Sequence, residues 1–242
     1  VKIIYEPKGA ALEYSKLALN PYLGCTHACV YCYNNGRHSK KGEFFKSAKP
    51  RMGIILDIIK DLKTLKDKYG NDCPEIQISF LGDAYQPAES TIGLTRLIIQ
   101  QIIHSNLPFT ILTKSSLILR DLDILAPYRK FRLGISFTTV DQREAAEWEP
   151  GTGYVEDRIS VMRKFKDLGV KTWVSLEPVM RVESTINVIK KVHYHTDHFW
   201  IGALNHMSPP EPINLPEAHR DIMKALEFRH CKYKFKASFT DM

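Results

Sequence analysis

The sequence has no long hydrophobic run. Stretches such as residues 53–59 meet charge well before the roughly 18 apolar residues that a membrane span needs, so no membrane partner is expected. The start, Val1-Lys2-Ile3-Ile4, lacks the charged, apolar and small-residue regions of a secretory signal. Internal repeats, low-complexity tracts and a convincing interdomain linker are missing too. The five cysteines are an odd number, three of them between Cys25 and Cys32, with Cys73 and Cys231 isolated. That distribution fits a reducing, cytoplasmic setting better than a secreted disulfide framework.

What is there is a chain of 242 residues with 44% hydrophobic content, enough for a substantial core. Short β-rich apolar runs alternate with longer helical patterns, which predicts βα units around a parallel sheet. Strands are expected at 17–23, 75–81, 109–113, 132–137, 171–176 and 198–203, and helices at 53–69, 91–105, 119–126, 155–168 and 183–192. In the first helix, Ile54, Ile55, Ile58, Ile59, Leu62 and Leu65 fall on one side. An eight-unit barrel commonly needs ~250 residues, so the expected fold is α/β, a partial (β/α)6 TIM-like barrel. It forms a single domain over 1–242, with a C-terminal extension from about residue 205.

Polar residues collect where the apolar runs stop: Gly82-Asp83, Thr113-Lys114-Ser115, Ser136-Phe137-Thr138-Thr139, Glu177-Pro178 and Asn205-His206. Loop polarity alone accounts for any one of them. In a parallel barrel all five converge on the rim where such folds place their chemistry.

Cys25-x3-Cys29-x2-Cys32 brings three thiolate ligands within eight residues. Thiolates suit iron–sulfur clusters and zinc. Closed four-ligand sites need one donor more, and if the centre is a [4Fe–4S] cluster the vacancy leaves one iron open. The competing reading is a zinc-stabilised nucleic-acid-binding module without catalysis, with His27 or His38 as the fourth ligand.

The run Asn20-Pro21-Tyr22-Leu23-Gly24-Cys25-Thr26-His27-Ala28-Cys29-Val30-Tyr31-Cys32-Tyr33 resembles the cluster loop of radical S-adenosylmethionine enzymes, and more narrowly that of the spore photoproduct lyase-like branch. Gly82-Asp83-Ala84-Tyr85-Gln86-Pro87, Leu112-Thr113-Lys114-Ser115, Ile135-Ser136-Phe137-Thr138-Thr139 and Glu177-Pro178 extend the likeness over about three-quarters of the chain. The resemblance implies a [4Fe–4S] cluster on Cys25, Cys29 and Cys32. Its open iron would bind S-adenosylmethionine, which one-electron reduction cleaves to a 5′-deoxyadenosyl radical. It further implies a lyase-like hydrogen abstraction, with flavodoxin or ferredoxin as electron donor. Tyr31 and Tyr33 would supply aromatic walls or hydroxyl contacts to the cofactor, or merely pack the loop. Asp83, after Gly82, suits the cofactor's amino group or a helix cap. Lys114 and Ser136 match carboxylate- or ribose-contacting positions. Glu177 is a ribose or sulfonium candidate, or a brace for its loop.

The likeness has a gap. Spore photoproduct lyase carries a hydrogen-donating cysteine near the end of its second strand, where this sequence reads Phe80-Leu81-Gly82-Asp83. Cys73 and Cys231 read as buried or loop thiols. The formal net charge of +7, with basic residues at 37–51, allows a nucleic-acid partner, although a solvated loop explains that stretch as well. Residues 229–236 have strand period, with lysines expected to guard an exposed edge while Tyr233 and Phe235 pack inward.

Overall fold

The computed structural model describes residues 2–35, 43–51, 53–205 and 207–240. Arg37, His38, Lys40, Lys41 and His206 lie outside them, so the zinc reading through His38 and much of the basic stretch are not placed.

Nine strands occur among the described residues: β1 Leu17–Leu19, β2 Tyr22–Leu23, β3 Lys49–Pro50, β4 Ile76–Ile78, β5 Phe109–Thr113, β6 Phe131–Ser136, β7 Lys171–Val179, β8 His198–Ala203 and β9 Tyr233–Phe235. Seven of them form one sheet in the order β1-β4-β5-β6-β7-β8-β9, every neighbouring pair parallel. This is a partial TIM-like barrel. The strands are buried on both faces, as parallel sheets covered by crossover helices are, so they read as continuous apolar runs.

The helices are α1 Glu43–Lys46, α2 Ile54–Tyr69, α3 Glu89–Ile92, α4 Leu94–His104, α5 Leu122–Leu125, α6 Gln142–Trp148, α7 Val155–Asp167, α8 Val182–Val192, α9 Leu215–Glu227 and α10 Ala237–Thr240. In α2 the buried positions are Ile54, Ile58, Leu62 and Leu65, spaced to fall on one helical face. Ile55 packs at its margin, whereas Ile59 is 42% exposed, one step too far round the helix to reach the core. None of these helices is long and apolar enough to cross a membrane.

The expected strand at 17–23 is two elements. β1 enters the sheet, and the chain then turns so that β2 pairs antiparallel with β3 in a separate ribbon. The strand at 75–81 stops at Ile78, because Ser79 takes φ 73° and ends the ladder. α6 was not anticipated: its seven residues are too few for a helical period to show. β9, within the stretch of strand period at 229–236, joins the edge of the sheet as a seventh strand beyond the six βα units. Lys232 just before it and Lys234 on it are exposed as an edge requires, but Lys236 is only 2% exposed and points inward.

Candidate active site

The loop after β1 is shaped by backbone contacts. Gly24 has φ 90°, and a Cβ there would stand 2.1 Å from the Ser47 carbonyl oxygen and 2.9 Å from that of Phe44. Only glycine fits. The next amide, Cys25 N–H, donates to the Phe44 carbonyl at 2.9 Å. Gln86 clamps both sides of Cys25: its Nε2 donates to the Gly24 carbonyl and its Oε1 accepts from Thr26 N–H, each at 3.0 Å. Asn20 ties the same region to the β4 end, its Oδ1 accepting from the amides of Phe80 and Leu81 at 2.8 and 2.9 Å.

Cys25, Cys29 and Cys32 all line one cavity of about 410 Å³. Tyr31, Tyr33, Gly82, Asp83, Lys114, Ser136 and Glu177 line it too, so the ends of β4 to β7 meet the cysteine loop there. Asn205, beyond β8, joins them, whereas Cys73 and Cys231 are not among its lining residues. Burial pushes the Cys25 thiol up to about 12. It pushes Cys29 up to about 11, where the Lys114 ammonium acts downward and the Glu149 carboxylate upward. Three soft donors at one cavity wall fit a cluster that takes each thiolate on a separate iron. Among the described residues no three His, Cys, Asp or Glu donors gather tightly enough for a single ion.

The carboxylate of Asp83 is engaged by the protein. Its Oδ1 accepts from Tyr85 N–H at 2.8 Å and from Thr113 Oγ1 at 2.7 Å, and its Oδ2 from Lys114 N–H at 2.8 Å. It therefore braces the β4 and β5 ends as a capping residue does. His27 is buried, with Nδ1 3.5 Å from Asp83 Oδ2, instead of standing in solvent as a polar loop residue would. Gly82, at φ 150°, would place a Cβ 3.2 Å from that of Cys25. Tyr33 donates its hydroxyl to the Phe80 carbonyl at 2.6 Å. The Lys114 ammonium lies 5.6 Å from the Tyr31 ring centroid. Burial opposes its charge, but Cys29 and Glu149 raise its pKa above the ordinary value.

Residues 148–152, from the last residue of α6 onward, form a strap on the cysteine loop. Val30 N–H donates to the Trp148 carbonyl and Gly151 N–H to the His27 carbonyl, each at 2.9 Å. A Cβ on Gly151 would lie 2.1 Å from the Thr26 carbonyl oxygen. Within this strap Glu149 is 1% exposed. Its Oε1 takes the Tyr31 hydroxyl and, at 3.2 Å, that of Thr138; its Oε2 pairs with Arg158 at 2.6 Å. Sequence reasoning missed Glu149 and Arg158, because neither carries a motif and their meeting depends on the turn between α6 and α7.

A second group of lining residues comes from the chain ends and β7. Both oxygens of Glu177 accept from the Lys236 ammonium at 2.9 Å, and Oε2 also from the Tyr14 hydroxyl at 2.5 Å. Tyr14 bonds Ser175 Oγ at 2.9 Å, and the Lys236 ammonium stands 4.3 Å from the Tyr14 ring centroid. Lys236 and Tyr14 had no role in the sequence reading. A larger cavity of about 710 Å³ lies away from the cysteines, between α6, α8 and α9, and carboxylates such as Glu144, Glu183 and Glu217 are among its lining residues.

Residues 19–192 match the model of the radical SAM superfamily. An uncharacterized protein of Methanocaldococcus jannaschii is 26% identical over 226 residues, covering 89% of this chain and 82% of that protein. A protein of the Acidianus two-tailed virus is 28% identical over 174 residues, 67% of this chain and 55% of its own length. Among solved structures, a spore photoproduct lyase variant superposes with a TM-score of 0.74 at 13% identity, over 95% of this chain and 79% of the lyase. Streptococcus suis SuiB bound to S-adenosylmethionine gives 0.68 at 15% identity, over 90% of this chain. The chain spans 46% of SuiB's length, and these structural likenesses concern the fold.

Proposed function

Because the chain belongs to the radical SAM superfamily, we propose that it is an enzyme whose Cys25, Cys29 and Cys32 hold a [4Fe–4S] cluster and whose strand-end residues hold S-adenosylmethionine. The observation that carries this reading is the shared cavity: three cysteines and the ends of β4 to β7 line the same space. When bound, the two groups would supply a 5′-deoxyadenosyl radical for hydrogen abstraction, on one-electron reduction by a flavodoxin- or ferredoxin-like donor.

The protein's own part is to hold and shield. Cys25, Cys29 and Cys32 are the cluster ligands. Lys114 offers an ammonium to the cofactor carboxylate, and Ser136 a hydroxyl to its ribose. Tyr31 and Tyr33 form aromatic walls with their hydroxyls held by protein acceptors. Asp83 acts mainly by fixing the loop, since three protein donors already meet it. Glu177 keeps lone pairs for a cofactor hydroxyl while Lys236 and Tyr14 hold it in place. The chain works as one domain, with α9, β9 and α10 in its C-terminal extension from about residue 205.

Nucleic acid is the substrate class we put first, on the net charge of +7 and the likeness to a lyase whose structures include a dinucleoside spore photoproduct. A peptide is the second, since SuiB has been solved with a precursor peptide. Binding to DNA and RNA across a salt series separates them: phosphate contacts give affinity that falls steeply with salt.

The enzyme reading is tested by anaerobic reconstitution with iron and sulfide, reduction in the presence of S-adenosylmethionine, and detection of 5′-deoxyadenosine. A four-iron cluster and 5′-deoxyadenosine are expected. A protein that takes up zinc but no such cluster, and releases no 5′-deoxyadenosine, refutes it.

A further inference from the structure

The strap at 148–152 does more than the loop's shape requires. Two backbone hydrogen bonds and the close approach of Gly151 already fasten it to the cysteine loop. Yet it also carries a carboxylate into the protein interior, where an unpaired charge is strongly unfavourable. Glu149 is oriented. Its Oε1 meets the hydroxyl of Tyr31, which stands between Cys29 and Cys32, and its Oε2 faces Arg158 on α7. Arg158 turns its other nitrogen to Thr152 Oγ1 at 2.6 Å and donates to the Ser136 carbonyl at 3.3 Å. The pair is thus a buried dipole with its negative end toward the cysteines.

We propose that Glu149 is a positioning residue that holds Tyr31 and sets the reduction potential of the group bound by the cysteine loop, its carboxylate keeping that potential low. The inference rests on the cluster assignment above. A negative charge fixed in a low-dielectric interior disfavours adding an electron nearby, and net charge around a cluster is one of the terms that set its potential.

The test is a dye-mediated redox titration of the reconstituted protein, read by electron paramagnetic resonance without S-adenosylmethionine. Glu149→Gln keeps the shape of the side chain and removes its charge, so the midpoint is expected to rise. Glu149→Asp restores the charge and is expected to bring the midpoint back toward the wild type. The double variant Glu149→Gln, Arg158→Met leaves no buried unpaired charge. Because the nearer charge dominates, its midpoint rises as well, by less than in the single variant. If Glu149→Gln does not fold, judged by circular dichroism and iron content, the double variant carries the test. A wild-type midpoint in every variant that holds a full cluster overturns the proposal. So does an equal rise in Glu149→Gln and Glu149→Asp, which would make the effect one of shape. Wild-type protein that forms no cluster would instead sink the underlying assignment.

Discussion

The cavity has two kinds of wall. The cysteine wall is held largely through its own backbone: carbonyls of Phe44 and Ser47 crowd Gly24, the Gln86 side chain bonds backbone groups on both sides of Cys25, and the strap bonds backbone groups of Val30 and His27. The terminal wall is held by side-chain charge, through Lys236, Glu177 and Tyr14. The first lies within the family-matched residues 19–192, whereas Tyr14 and Lys236 fall outside them. Fixed backbone suits a part that must present thiols to a large inorganic group in one arrangement. Side chains are more easily exchanged, so the terminal wall is where substrate choice is expected to be written.

Substitutions in the two walls are expected to act differently. The largest effect is expected from replacing Cys25, Cys29 and Cys32 together by alanine, which removes every thiol of the cavity: cluster absorbance and 5′-deoxyadenosine formation should both vanish. Gly24→Ala comes next. A Cβ 2.1 Å from a carbonyl oxygen cannot be absorbed by a rotamer change, so the loop must shift and iron content after reconstitution should drop by more than half.

On the terminal wall, Lys236→Met is expected to destabilise the fold by ~3 kcal/mol, because it strands the Glu177 carboxylate. Thermal melting should show this as a fall of roughly 10 °C, taking 2–4 °C per kcal/mol for a chain of this size. Adding Glu177→Gln should recover most of the loss while iron content stays at the wild-type level throughout. The smallest effect is expected from Cys231→Ala, a half-buried thiol away from both walls: stability should change by less than ~0.5 kcal/mol. Iron bound per chain should not change.

Much of the cysteine wall was legible in sequence because its chemistry is local: Cys25, Cys29 and Cys32 sit in one loop, and the strand ends carrying Asp83, Lys114, Ser136 and Glu177 follow apolar runs that announce themselves. The strap and the terminal wall were not legible. Glu149 meets Tyr31 across 118 positions and Tyr14 meets Glu177 across 163, separations that no motif spans. Lys236 alternates with aromatics like an edge lysine, and only the seventh strand turns it inward. The split of residues 17–23 into β1 and β2 was hidden for another reason: apolar content runs through both, while the turn at Asn20-Pro21 decides the pairing.

On the cluster assignment proposed above, three cysteines would leave one iron for S-adenosylmethionine. Electron paramagnetic resonance of the reduced, reconstituted protein tests it directly, with spectra recorded before and after S-adenosylmethionine is added. A [4Fe–4S]⁺ signal whose g-values shift on addition is expected. A four-iron signal that S-adenosylmethionine leaves unchanged at saturating concentration would contradict it.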